Sequence, residues 1–399
     1  MPQRIFGFFA SLKLTIVCLA AMILLVFVGT LAQVNLGGHD VQVRFFQSFF
    51  IWWHENSQGW KIPLFPGGHL LGGILLLNLI AAHVSRFRWT WKKLGIQLIH
   101  GGLIILLAGG LFTDLFSTES FMRLAPGETK NYSEDPRSME LAISDTTQTK
   151  VDQGITIPDG LLKSGEVISH ESIPFRIVVR RFYQNSQLHP VQASSKEQGA
   201  STQGEGKKLL VTDLPHVTAE NRRDSESALI EILPLTQDAA QGTKSLQSSL
   251  GTWLVSDRIT TPQKFNAVGK TWSLELRLKR YDKPYSLTLR KFSHEHFPGT
   301  EIAKKFASTL FLSDPRRGEM REVLITMNHP LRYHGETFFQ SGFEMNDTAT
   351  ILQVVDNPVF IAPYLACGIV AVGMLLQFGS HLFAFLRRGK IKEHLMPAA

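Results

Sequence analysis

Four nearly charge-free stretches punctuate this sequence: Leu14 to Ala32, Leu64 to Ala82, Leu94 to Phe112 and Val359 to Phe378. Each matches the roughly 20 residues that an α-helix needs to cross a bilayer. The chain therefore reads as a membrane protein with four transmembrane helices. The first stretch exceeds the apolar core of roughly 7–15 residues found in secretory signals, so it is read as a retained anchor. Between the third and fourth stretches lies a long segment of mixed polarity, which completes an expected division into 1–113, 114–357 and 358–399.

Charge gives the orientation. The 399 residues carry a net charge of +7, but Asp114 to Asp356 holds 29 Lys+Arg against 31 Asp+Glu, so the excess of 12 against 3 flanks the apolar stretches. A near-neutral soluble segment offers no basic stripe for phosphates, and nucleic acid is excluded as a partner. Arg4 and Lys13 precede the first stretch, Arg86, Arg88, Lys92 and Lys93 link the second to the third, and Arg387, Arg388, Lys390 and Lys392 follow the fourth. The positive-inside bias makes all three cytoplasmic, with both termini inside and 34–63 and 114–357 outside. Trp52, Trp53 and Trp60 on the outer side, and Trp89 and Trp91 on the inner, sit where aromatic belts form.

The soluble segment has a β pattern. In Thr271 to Arg280, Trp272, Leu274, Leu276 and Leu278 alternate with polar residues, the period of a strand wet on one face. Further strands are expected at Phe175 to Tyr183, Ala228 to Leu233, Tyr285 to Phe292, Ala307 to Leu312, Glu322 to Met327 and Ala349 to Val355, arranged as antiparallel sheets. Polar, apolar-poor stretches near 189–226 and 236–249 read as mobile loops or insertions. Cys18 and Cys367, the two cysteines, both fall inside apolar stretches, so the soluble segment can hold neither a disulfide nor a dithiol redox site.

Histidine carries the chemical signal, because an ionisable group in hydrocarbon is costly unless it has a partner. His100 is the deepest, about 10 Å along the third helix from Lys93. Three readings are open: an interhelical hydrogen bond to Gln97 or Asn78, a haem axial ligand, or a proton-relay group. Gly95, Gly102 and Gly109 form a small-residue seam, and His100 lies about 160° from Gly102 around the helix. If the seam packs within the chain, His100 is expected to face a partner. His83 ends the second stretch beside Arg86 and is a second, weaker haem candidate, also readable as an interfacial residue, as are His69 and His381. His294 with His296, and His329 with His334, lack the ligand number of a zinc site. Few charges within the spans and no inverted repeat argue against a transporter.

Several segments together resemble the ResB-like family of System II cytochrome c biogenesis: SLKLTI at Ser11 to Ile16 with Gly29, Thr30 and Gln33; KKLGIQLIHGGLIILLAGG at Lys92 to Gly110; EHFPGT followed by FASTLFL; and MNHPLRYHGETFFQSGF at Met327 to Phe343 leading into LQVVDNP. Residues 131–256 carry no such motif. The resemblance implies a multi-pass protein of the bacterial inner membrane that works with a CcsA/ResC-type partner. It would deliver haem b to apocytochrome c as a non-catalytic or co-catalytic subunit of a holocytochrome c synthase complex. It further implies that His100 holds haem within the membrane, with a second ligand from the partner. The partner's tryptophan-rich tract is absent, and WWHENSQGW at 52–60 does not substitute for it. The competing expectation is a cofactor-free scaffold that presents the β domain for protein contacts.

Overall fold

The computed structural model describes residues 2–394 except 55–60, 88–89, 148–152, 192–197, 218–222, 238–243, 247–248, 297, 299–302 and 345–347. The chain forms two compact units, Met1–Thr118 with Asp356–Ala399, and Glu119–Val355.

The first unit is helical: α1 (Pro2–Phe9), α2 (Leu12–Leu36), α3 (Gly38–Val41), α4 (Gly68–Arg86), α5 (Leu94–Phe116) and α6 (Ala362–His394). Within it α2, α4, α5 and the Ala362–Leu386 part of α6 are long and apolar enough to cross a membrane. Ser11 starts α2 by accepting a hydrogen bond from the Leu14 amide at 3.2 Å, and Gly37 ends it at φ 79°, a conformation costly for side chains with a Cβ. The second apolar stretch begins helix later than its hydropathy suggests. Lys61–Pro66 is a strand paired with Phe50–His54, and Pro66 followed by glycines stops that strand before α4 begins. Likewise Val359 to Ile361 form a turn before α6. Trp60 and Trp89 lie outside the described residues.

The glycine seam is an intramolecular contact. A Cβ at Gly95 would come within 2.8 Å of Gly373 O, one at Gly102 within 2.6 Å of Val370 Cγ2, and one at Gly109 within 2.7 Å of Ala362 Cβ. Absence of side chains on this face lets α5 lie directly on α6.

The second unit is β-rich, and its described strand pairs are antiparallel. A ten-stranded sheet runs Glu319–Thr326, Ala303–Asp314, Lys270–His296, Thr129–Asp145, Thr118–Leu124, Thr350–Asp356, Glu336–Phe343, Leu331–Tyr333, with two side pairings. A five-stranded sheet centres on Ser227–Gln237 and Phe175–Tyr183. The two strands expected at Thr271 to Arg280 and Tyr285 to Phe292 are one continuous strand, Lys270–His296, whose register slips between Leu278 and Arg280 and again between Asp282 and Leu287. That bend lets one strand serve two cores. Trp272, Leu274 and Leu276 pack with Phe175, Ile177 and Ile230, while Tyr285, Leu287 and Leu289 pack with Leu310, Phe338 and Leu352.

The polar stretches near 189–226 and 236–249 are not loop throughout. Ser186–Pro190 pairs with Leu209–Asp213, and Lys244–Leu246 pairs with the Ser227–Gln237 strand, because backbone pairing needs little apolar content at a sheet edge. Residues 192–197, 218–222, 238–243 and 247–248 of these stretches are outside the described set.

Candidate ligand site among the apolar helices

The site is organised by Asn78, a buried polar residue near the middle of α4. Its amide nitrogen donates to Phe9 O at 2.5 Å and to Ser11 O at 3.1 Å, the carbonyls freed where α1 breaks into α2. The Thr15 hydroxyl donates to Asn78 Oδ1 at 2.6 Å. The SLKLTI segment thus supplies the helix cap, Ser11, and the anchor, Thr15, that tie α2 to α4. Arg86 adds a weaker bond to Ala10 O at 3.4 Å.

With Asn78 fully engaged, His100 on α5 has no bond to it. Among the described residues neither Asn78 nor Gln97 hydrogen-bonds the imidazole, so the interhelical pairing expected as one alternative does not form. His100 instead borders a cavity of about 360 Å³ lined by the α1–α2 junction, by Asn78 and Arg86 of α4, and by Leu103, Leu106 and Leu107 of its own helix. That volume lies within the roughly 300–1,000 Å³ of small-molecule sites. His100 lies off the seam, and on its own chain it borders α4. The seam commits one side of α5 to α6, and α4 borders the other.

His83 is brought to His100. The two rings are 6.2 Å apart between centroids and inclined at 61°, and Phe87 packs on His83 at 5.6 Å. His83 Nδ1 is buried without a hydrogen-bond partner among the described residues, a costly state for a polar atom unless a ligand satisfies it. Arg86, one turn beyond Ala82 on α4, puts a guanidinium at the same cavity. The sequence pointed to Arg86 only as a topology marker, since its value as an anion partner depends on a cavity formed by three helices.

A second cavity, about 400 Å³, lies at the other end of α4 and α5 and shares Leu106 and Leu107 with the first. Here His69 Nε2 lies 2.6 Å from Asp114 Oδ2, and Gln47 Nε2 donates to Asp114 Oδ1 at 2.6 Å. Sequence reasoning read His69 as an interfacial residue. The missed signal was Asp114, an acid at the end of an apolar helix. His381 pairs locally with Gln377 on α6 at 3.0 Å. Among the described residues no group of three or more His, Cys, Asp or Glu side chains could hold a metal ion.

In the β-rich unit the Met327 to Phe343 segment forms a hairpin. His334 at φ 56° and Gly335 at φ 89° make its two-residue turn, and Tyr333 pairs with Glu336. Glu336 accepts hydrogen bonds from buried Lys283 and from Tyr285. Burial and the bond to Glu336 raise the Tyr285 phenol well above its ordinary range. Tyr333 Oη lies 2.8 Å from Asp314 Oδ2, while Gln340 bonds Ser308 at 2.6 Å and Thr350 at 2.8 Å. Tyr333, Glu336 and Gln340 of this hairpin each bond residues of other strands, a network that fastens the strands together.

The model of the ResB-like family matches residues 251–359. Over that stretch the chain is ResB-like. The match spans the strands from Thr252–Ser256 to Thr350–Asp356, including the hairpin, and does not extend to His83 or His100. Among curated proteins, the chain is 33% identical to Protein NrfI of Wolinella succinogenes over 92 residues, which is 23% of this chain and 10% of NrfI. It is 32% identical over 82 residues to Cytochrome c biogenesis protein CcsB of Picosynechococcus sp., covering 21% and 17%. With the CcsB of Synechococcus sp. strain WH7803 it shares 36% over 101 residues, covering 25% and 22%. The chain thus spans less than a quarter of the length of each of these relatives.

Proposed function

We propose that this chain is a membrane subunit of cytochrome c biogenesis that holds haem at His100 and passes it toward apocytochrome c, working with a CcsA/ResC-type partner. Haem is its cargo. The observation that carries the reading is the unbonded imidazole of His100 beside a cavity of about 360 Å³ in a chain that is ResB-like over 251–359. A neutral imidazole binds iron without bringing net charge into hydrocarbon. The leucines beside it suit the porphyrin face, and the Arg86 guanidinium suits a propionate, which it can bind through two parallel hydrogen bonds. Asn78 and Thr15 keep α2 and α4 in place around the cavity.

The unit with both termini is assigned to the bacterial inner membrane, its basic ends inside, with the β-rich unit on the outer face. There the hairpin network gives a rigid body against which partner or apocytochrome can be positioned. His83, with its ring 6.2 Å from that of His100 and its buried Nδ1 unbonded, is the nearest second imidazole in the chain's own fold, and a partner histidine competes for that role.

Purifying the chain with its partner and comparing wild type with His100→Ala and His83→Ala tests this. Haem content by pyridine haemochrome and cytochrome c maturation are read on the same strains. His100→Ala should lose both. His83→Ala should keep haem but shift the Soret band if His83 is the second ligand, and leave the band in place if the partner supplies it. A wild-type complex without haem under haem-replete growth would favour the cofactor-free scaffold.

A further inference from the structure

We propose that the second cavity, ending at His69, is a binding site for an amphipathic ligand of the hydroquinone class, whose hydroxyl donates to His69 Nδ1. The proposal rests on the reading of the helical unit as membrane-embedded, which gives an apolar ligand its route in, and is independent of haem at His100.

The dyad sets the polar end. Asp114 is fixed through both oxygens, one at 2.6 Å from Gln47 Nε2 and the other at 2.6 Å from His69 Nε2. In the tautomer that donates Nε2–H to Asp114, Nδ1 is an acceptor, and among the described residues it has no hydrogen-bond partner. A donor on the ligand is the complement of that tautomer. Nδ1 sits next to Cβ, so a metal macrocycle, which needs the open nitrogen, fits poorly there, whereas a single hydroxyl does not meet that obstacle. Phe49 packs on the ring at 5.9 Å and helps hold its orientation.

The walls set the rest of the ligand. Leu76, Leu106, Leu107, Leu111 and Phe46 make the cavity apolar. Gly72, Gly73 and Gly110 present bare backbone to it, and a Cβ built on any of the three would meet nothing within 4 Å. Glycine walls on neighbouring helices with a hydrogen-bonding dyad at one end suit a flat ring that carries a hydroxyl. An acyl chain would need no dyad, and a soluble polar ligand would not need the leucines.

The test uses the full chain in detergent and a fluorescent hydroxyquinoline N-oxide, a quinol analogue whose emission is quenched on binding. Wild type should quench the probe saturably. His69→Ala and Asp114→Asn should each weaken binding by about tenfold or more, the loss expected when a site built to pair a hydroxyl can no longer do so. Gly72→Leu leaves the dyad intact, and a Cβ there meets nothing within 4 Å, so it should fold and block the probe to a similar degree. His381→Ala should bind as wild type does. Absence of quenching in wild type, or unchanged affinity in all three cavity variants, overturns the proposal. Haem content is measured on the same samples. Haem lost in His69→Ala with probe binding retained would assign the dyad to haem and overturn the proposal, while haem lost in His100→Ala alone bears only on the first site.

Discussion

The helical and β-rich units treat buried polar groups in opposite ways. In the β-rich unit Lys283, Glu336, Tyr285, Tyr333, Asp314, Ser308, Gln340 and Thr350 bond one another across strands. In the helical unit Asn78 is satisfied in the same manner, but among the described residues His100 borders a cavity without a hydrogen bond, and the neighbouring His83 Nδ1 is buried without one. Among the described residues of the β-rich unit, Glu226 Oε2 and the indole nitrogens of Trp253 and Trp272 are also buried without a hydrogen-bond partner, but none of these is an imidazole. A protein keeps unsatisfied imidazoles at a cavity when something else is to satisfy them. The contrast supports the proposal that the chemistry lies among the helices and the rigidity in the sheets.

That contrast can be broken most forcefully at Glu336. Glu336→Ala would leave Lys283 buried and unpaired, with an expected loss of about 3–5 kcal/mol. Denaturant melts of the purified chain should show it, while haem per folded molecule stays as in wild type. Next in size is Gly102→Val, whose side chain would run into Val370 and Ala366 O and force α5 off α6 at a cost of about 1–3 kcal/mol. Thermal unfolding in detergent measures it.

The β-rich unit also carries a pH effect. Burial, then the charges of Asp159, Asp257 and Asp224, push the Glu226 carboxyl up to about 8 from 4.5. The folded state therefore keeps a proton that the unfolded chain releases, so stability is intact below about pH 4.5 and falls as pH climbs to about 8. Glu226→Gln should flatten that decline in melts run across this window. The smallest effect is expected at the exposed Arg123–Glu344 pair, bonded at 2.6 and 2.8 Å, where Arg123→Ala should cost about 0.2–1 kcal/mol and less in high salt.

The four apolar helices were legible in the sequence because each buries no charge for about the thickness of a bilayer, and α5 starts at Leu94 as its pattern predicts. The strand Phe175–Tyr183, rich in β-branched and aromatic residues, was equally plain. Thr129–Asp145 escaped notice because its first half is charged and it earns its place by pairing along the bent Lys270–His296 strand. His100 stood out as an ionisable group deep in an apolar run. Its isolation could not be read, since it depends on Asn78 spending its hydrogen bonds on Phe9, Ser11 and Thr15. The His69–Asp114 dyad joins residues 45 apart and follows only from how α4 meets α5.

The most direct measurement is chemical rescue of the imidazole itself. His100→Gly, purified with its partner, should lack the Soret band of the wild-type complex and regain it when free imidazole is added. A variant that keeps full haem without imidazole, its spectrum indifferent to the additive, would contradict the assignment of His100 as the group that holds iron.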